Sequence, residues 1–190
     1  MIDKELSIVC ATHNNEKKLF QTVLQILKSS ILPQEIIIVS TSFKYKEYFS
    51  DEFINKNNII FKVVNFKSQT RQRACGINLV NTKYIIQIDD DIILDKYCIN
   101  NMLKKIKKNK KTIIGGLLLY NDNTNVYERF TKQYLKNKFL KLILIILNSG
   151  KQPEDMSVLS SGRMFPKLSE NIIKTQWLSS FIIYEKKIYK

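Results

Sequence analysis

Between residues 6 and 119, short β-branched and aliphatic runs alternate with longer segments whose apolar residues recur at helical spacing. That alternation narrows the fold more than any other feature of the chain. Leu6–Ala11 (LSIVCA) predicts a buried strand. Asn14 or Asn15 can cap the following helix, where Leu19, Phe20, Val23, Leu24 and Leu27 share a face. Pro33 is expected to close that connection before a second strand over Ile36–Val39, β-branched throughout. After a polar, aromatic-rich stretch, Ile59–Val64 predicts a third strand. Thr70–Val80 predicts a helix with Ala74, Ile77, Leu79 and Val80 toward the core. Tyr84–Ile88 is a fourth strand that ends in three aspartates. Asp95–Lys108 is helical in pattern, with Cys98, Met102, Leu103 and Ile106 on one face, and Thr112–Leu119 is a fifth strand.

Strands and helices in this order predict an α/β fold: a mostly parallel, Rossmann-like sheet with helices on both faces and right-handed crossovers. In such sheets ligands bind beyond the carboxyl ends of the strands. The polar residues directly after each strand are therefore the site candidates: Thr12-His13-Asn14, Ser40-Thr41-Ser42, Gln69 to Arg73, and Asp89-Asp90-Asp91.

Composition removes several other classes. At 190 residues with 44% hydrophobic and 25% charged residues, the chain suits one globular unit and neither a disordered chain nor a membrane bundle. The net charge of +14 favours a polyanionic neighbour, although a chain so rich in Lys, Asn and Ile carries much of that charge through compositional bias alone. No aromatic-plus-basic nucleic-acid motif is present, so no nucleic-acid partner is expected. The cysteines, Cys10, Cys75 and Cys98, are odd in number and form no CxxC pair, and His13 is the lone histidine. Neither a disulfide framework nor a zinc site is expected. The charged N-terminus does not read as a signal peptide, and the longest apolar run, Phe139–Leu147, is too short to span a bilayer. A cytoplasmic protein is expected, touching the inner face of the membrane through a basic amphipathic helix over Val126–Leu147. There Phe130, Tyr134, Phe139, Leu142, Ile143 and Ile146 oppose Arg129, Lys132, Lys136 and Lys141.

Three adjacent carboxylates at the end of an apolar strand repel one another and call for a compensating cation. Hard oxygen ligands suit Mg²⁺ or Mn²⁺, which take one or two carboxylates and complete their shell with water and substrate phosphates. Strand alternation would put Asp89 and Asp91 on one side as metal ligands and Asp90 on the other. A solvated turn or a helix N-cap is the plainer alternative.

The runs LSIVCATHNN, EIIIVSTS and RQRACGINLVNTKYIIQIDDDIIL together resemble the family 2 glycosyltransferases, which have the GT-A fold. Thr12 and Asn14, Arg73 with Gly76, and Asp89 to Asp91 carry the likeness over residues 5 to 120. It resumes at Thr175-Gln176-Trp177-Leu178, similar to the family's acceptor-side strand and loop. The resemblance implies transfer of a sugar from a nucleoside diphosphate sugar to a glycan or lipid-linked acceptor, with inversion and with Mg²⁺ or Mn²⁺. It implies a nucleotide-sugar-binding subdomain over 1–120 and a partial acceptor-side region over 121–190. On this basis Thr12, Asn14, Ser40, Thr41, Arg73, Asp89 and Asp90 bind the donor, with Arg71 and Gln69 beside Arg73. Asp89 and Asp91 hold the metal, and Trp177 and Ser179 face the acceptor.

The chain departs from the family pattern in two places. Ser40 and Thr41 stand where the family has an acidic residue after the second strand. The acidic motif expected beyond Trp177 as general base is absent, which predicts a truncated or split product and keeps open a catalytically inactive form that only binds nucleotide or a partner. The remaining downstream acids are Asp122, Glu128, Glu154, Asp155, Glu170 and Glu185.

Overall fold

The computed structural model describes residues 1–109, 112–116, 138–147 and 181–189. The chain divides into two units: residues 1–116 with 180–190, and residues 117–179.

The first unit is a six-stranded sheet in the order β3-β2-β1-β4-β6-β5. Its strands are β1 (Ile2–Thr12), β2 (Leu32–Ser40), β3 (Ile59–Val63), β4 (Tyr84–Asp89), β5 (Ile113–Gly115) and β6 (Ile182–Glu185). β1, β2, β3 and β4 pair in parallel, while β6 runs antiparallel to both β4 and β5. The helices are α1 (Glu16–Leu27), α2 (Asp51–Lys56), α3 (Gln69–Leu79) and α4 (Cys98–Lys108). In the second unit α5 (Lys138–Leu147) is described.

Alternation along the central strands sends side chains to two apolar layers. Leu6, Ile8 and Cys10 of β1 pack with Leu19, Val23 and Ile26 of α1 and with Ile99, Met102 and Ile106 of α4. Val9, Ile37 and Ile85 meet Ile77 and Val80 at α3 on the other face. Both faces of the sheet are thus covered, which is why its central strands lack polar alternation. Each fully buried aliphatic side chain contributes about 1.5–3 kcal/mol of transfer free energy.

α3 lies unusually close to the sheet. A Cβ on Gly76 would stand 2.6 Å from Val9 Cγ1 and 3.2 Å from Val39 Cγ2, so only glycine admits this approach. Gln72, also buried, donates from Nε2 to the carbonyls of Thr12 (2.9 Å) and Val39 (3.0 Å), fastening the helix to the strand ends.

Several boundaries differ from the sequence expectation. β1 begins at Ile2, because residues 2 and 3 pair with Leu32 and Pro33 across a register shift before Ser7. Pro33 therefore lies within β2 and does not close the connection. α4 begins at Cys98 and not at Asp95, whose Oδ1 instead accepts from Tyr97 N (2.8 Å) in a preceding turn. The aromatic-rich stretch is ordered by burial: Tyr45 stacks on Phe61 at 3.7 Å between centroids, and Phe49 meets Phe20 edge-on at 5.0 Å. α2 starts there with Ser50 Oγ accepting from Phe53 N (3.2 Å).

β6 was not foreseen. It returns residues 182–185 to the first unit's sheet. Of the predicted helix over Val126–Leu147, residues 138–147 are helical, with Phe139, Leu142 and Ile146 exposed, and the rest lies outside the described residues. The fifth strand is described over Ile113–Gly115, and Leu117–Leu119 lie outside the described residues.

Candidate active site

The carboxyl ends of β3, β2, β1 and β4 finish level with one another. Thr12 pairs with Ser40, Ser40 with Val63, and Ala11 with Asp89. α1 leaves β1 toward one face of the sheet, and α3 enters β4 from the other. The chain direction thus switches between β1 and β4, where open α/β sheets leave a crevice for ligands.

The three aspartates sit at that crevice with distinct partners. Asp89 is the last residue of β4, and Asp90 and Asp91 lie in the turn beyond it, so strand alternation stops at Asp89. Asp89 Oδ1 accepts from Arg73 Nη2 and from Gln69 Nε2 (3.1 Å), both on α3. Asp90 faces α1 instead. Its Oδ2 accepts from Thr12 Oγ1 (2.6 Å) and its Oδ1 from Asn15 Nδ2 (2.8 Å). Thr22 Oγ1 lies 3.1 Å from the carbonyls of both Asp90 and Ile92, pinning the turn to α1. Asp91 is half exposed, with Lys18 Nζ 3.6 Å from its Oδ2.

This pattern separates two kinds of carboxylate. Asp90 has both oxygens committed to charge-assisted bonds within the protein. Asp91 has one loose, solvent-screened ion pair, which holds it weakly. Asp89 is intermediate: among the described residues no protein donor reaches its Oδ2. Beneath the cluster, burial pushes the Cys10 thiol well above its ordinary range, and the Asp90 and Asp89 carboxylates add to the effect.

The other strand-end residues form the flanks. Ser40 turns inward, its Oγ donating to Ser42 O (2.9 Å). Thr41 Oγ1 lies 2.7 Å from His13 Nδ1 at the surface. Asn14 is exposed and adopts φ 54°, a left-handed conformation that asparagine tolerates, and its neighbour Asn15 occupies the N-cap of α1. Glu16, at the start of α1, is buried and accepts from Ser42 Oγ (3.1 Å). Beside these residues opens a recess of about 540 Å³ lined by Thr41, Ser42, Phe43, Val63, Val64, Asn65 and Phe66. The Arg71 guanidinium stacks on Phe66, 4.3 Å from the ring centroid.

Thr12, Asn14, Ser40, Thr41, Arg73, Asp89, Asp90 and Asp91 thus all lie at one end of the sheet. Trp177 and Ser179 lie outside the described residues. Sequence reasoning passed over Lys18 and Thr22, took Asn15 only as a helix cap, and gave Gln72 no role of its own within the Gln69 to Arg73 segment. A polar residue on an otherwise apolar helix face is the signal that Thr22 offered, and Lys18 offered none.

Residues 7–164 match the family described as glycosyl transferase family 2. The chain belongs to glycosyl transferase family 2. Its α/β sheet is of the GT-A type, and a solved structure shares the fold. The mannosyltransferase PcManGT from Pyrobaculum calidifontis, in complex with GDP-Man and Mn²⁺, is 7% identical with a TM-score of 0.52, covering 61% of this chain and 36% of that one. TarS from S. aureus, residues 1–349, is 15% identical with a TM-score of 0.47, covering 55% and 32%. The chain spans about a third of the length of either neighbour. No curated protein matches it significantly.

The matched family is one of glycosyl transfer. Among the described residues no helix is long and apolar enough to cross a membrane. Nor do three metal-ligating side chains converge there on one point. Asp89 and Asp91 nonetheless fit a hard divalent cation, because such ions settle for one or two carboxylates when a diphosphate and water supply the rest. Of the acids considered as general base, Glu185 alone is described. It is buried in β6 opposite Tyr84, the first residue of β4, while Asp89 is the last. At about 3.3 Å per residue, some 16 Å of strand separates its level from the aspartates, so Glu185 is no candidate for the base.

Proposed function

We propose that this domain binds a nucleoside diphosphate sugar at the β1–β4 crevice for metal-assisted, inverting transfer of the sugar to a glycan or lipid-linked acceptor. The observation that carries this reading is the division of labour among the aspartates: Asp90 is fastened inward, while Asp91 and one oxygen of Asp89 remain open at the strand ends.

In this reading the open recess beside Thr41, Phe43 and Phe66 takes the nucleoside. Its aromatic rims offer stacking faces, and Asn65 offers amide hydrogen bonds. Arg73 and Arg71 face the diphosphate, where forked guanidinium donors match phosphate oxygens. Asp91 and Asp89 hold Mg²⁺ or Mn²⁺, which when bound offsets the charge that develops on the leaving diphosphate. Asp90 positions the turn through Thr12 and Asn15 without itself contacting the donor, a role different from the donor contact expected of it. Excluding water and presenting the acceptor hydroxyl to a base fall to residues beyond the described cleft.

The test is calorimetric titration of UDP, dTDP and GDP into the protein with and without Mn²⁺, on wild type and on Asp91→Ala. Binding of at least one nucleotide is expected to strengthen with Mn²⁺ in wild type and to lose that dependence in the variant. No metal-dependent binding of any of the three would reject the reading. Nucleotide binding without sugar transfer would leave the domain a binding module.

A further inference from the structure

Arg73 stands in an unusual position for a residue meant to greet a diphosphate. Its Nη2 is already spent on Asp89 Oδ1, the oxygen that Gln69 also contacts, while its Nε is buried with no hydrogen-bond partner. The pair is only partly open to solvent, each side chain being 24% exposed, so screening between the two charges is incomplete. The guanidinium thus already neutralises one of the two carboxylates that would hold a cation. Across the turn, Lys18 leans in the same way on Asp91. The cleft thus carries its own positive charge beside two of its carboxylates.

We propose that Arg73 is a built-in counter-ion for Asp89 that couples metal to donor: a divalent cation binds well only when a diphosphate draws the guanidinium off the carboxylate. The proposal rests on the reading of the cleft as a metal-assisted diphosphate site. Its physical basis is competition for one carboxylate. A guanidinium on Asp89 repels a divalent cation approaching the same group, and that repulsion disappears once phosphate oxygens give Arg73 another partner. The buried Nε has no partner to lose in this exchange. By linkage, whatever factor the diphosphate adds to metal affinity the metal adds to diphosphate affinity. The close seat of α3 at Gly76 and the Gln72 bonds to the strand ends keep Arg73 within reach of both partners.

The experiment measures Mn²⁺ binding alone, by electron paramagnetic resonance, and then UDP binding at saturating Mn²⁺. It compares wild type with Arg73→Gln, Arg73→Met and Arg73→Lys, each checked for folding by circular dichroism. Removing the charge is expected to tighten Mn²⁺ alone by about tenfold or more, a modest figure for unmasking a carboxylate at surface-like dielectric. The same neutral variants should bind UDP more weakly in the presence of Mn²⁺, with Arg73→Lys close to wild type in the metal-only measurement. Mn²⁺ affinity unchanged or weakened in whichever neutral variant folds would overturn the proposal. So would equal tightening in Arg73→Lys, which would point to loosening of the site and not to charge. Absence of metal-dependent nucleotide binding in wild type would instead remove the parent reading, and the metal-only measurement on the variants would still decide the role of Arg73.

Discussion

Substituting Gly76 by alanine tests how tightly the donor cleft depends on the packing of α3. The added methyl would arrive 2.6 Å from Val9 Cγ1 and 3.2 Å from Val39 Cγ2, where carbon atoms prefer about 3.5–4.0 Å. The helix must therefore lift by several tenths of an ångström, or Val9 must leave its rotamer. Overpacking of this kind costs about 1–3 kcal/mol, and alanine's better helix propensity returns about 1 kcal/mol. The expected net loss is about 1 kcal/mol, or a fall in Tm of about 2–4 °C for a domain of this size. A double-mutant cycle isolates the cause. Val9 is fully buried, so Val9→Ala alone should cost about 2 kcal/mol. In Gly76→Ala/Val9→Ala the new methyl occupies the space vacated by Val9, and the double variant should be less destabilised than the sum by about 1 kcal/mol or more. Urea unfolding followed by circular dichroism measures all four corners of the cycle. Additivity within about 0.5 kcal/mol would refute the claim that α3 is seated on Val9.

The aspartates should separate in the same assay. Asp90→Ala strands Thr12 and Asn15 and is expected to cost about 2 kcal/mol, whereas Asp91→Ala, losing one exposed ion pair, should change stability by under about 0.5 kcal/mol; equal costs would contradict the division of labour. Burial, with Asp95 adding to it, pushes the Cys98 thiol up to about 11, so at pH 8 its thiolate fraction should be about a hundredfold below that of an unperturbed thiol. Iodoacetamide labelling of the native protein should be slow at Cys98 and should climb with pH toward 11, and a plateau near pH 9 would contradict that shift. Because the folded state holds this proton more tightly than the unfolded one, Cys98's contribution to stability is complete below about pH 9 and is lost as pH rises toward 11.

The sheet was legible because parallel strands covered on both faces leave largely apolar runs rich in β-branched residues, and IVCA, IIIV and YIIQI are such runs. What escaped was whatever pairs without that signature. The start of β1, Ile2 to Glu5, is largely exposed and charged, yet it pairs with β2 across a register shift. β6 reads as a strand only once β4 and β5 flank it on either side, because a four-residue antiparallel segment near the end of the chain has no periodicity to declare. The 3-10 turn at Lys44–Glu47 and α2 are too short for a helical repeat and are fixed by the aromatic contacts among Phe20, Tyr45, Phe49, Phe53 and Phe61.

At the strand ends, the sequence named residues that lie together and left their orientation open, for a physical reason. The direction of a strand-end side chain depends on where the strand stops, and β4 stops at Asp89, one residue after the last apolar position. Once the chain turns, alternation no longer governs, and hydrogen-bond donors on the flanking helices decide which way each carboxylate faces. Thr12 and Asn15 draw Asp90 toward α1, while Arg73 and Gln69 draw Asp89 toward α3. The two helices lie on opposite faces of the sheet, so adjacent aspartates are pulled apart across the switch point. Mutual repulsion is thereby relieved without a cation, and a carboxylate remains at the mouth of the crevice for one. The donor-binding chemistry proposed for this domain thus turns on the helices that embrace the β4 turn as much as on the acidic triplet itself.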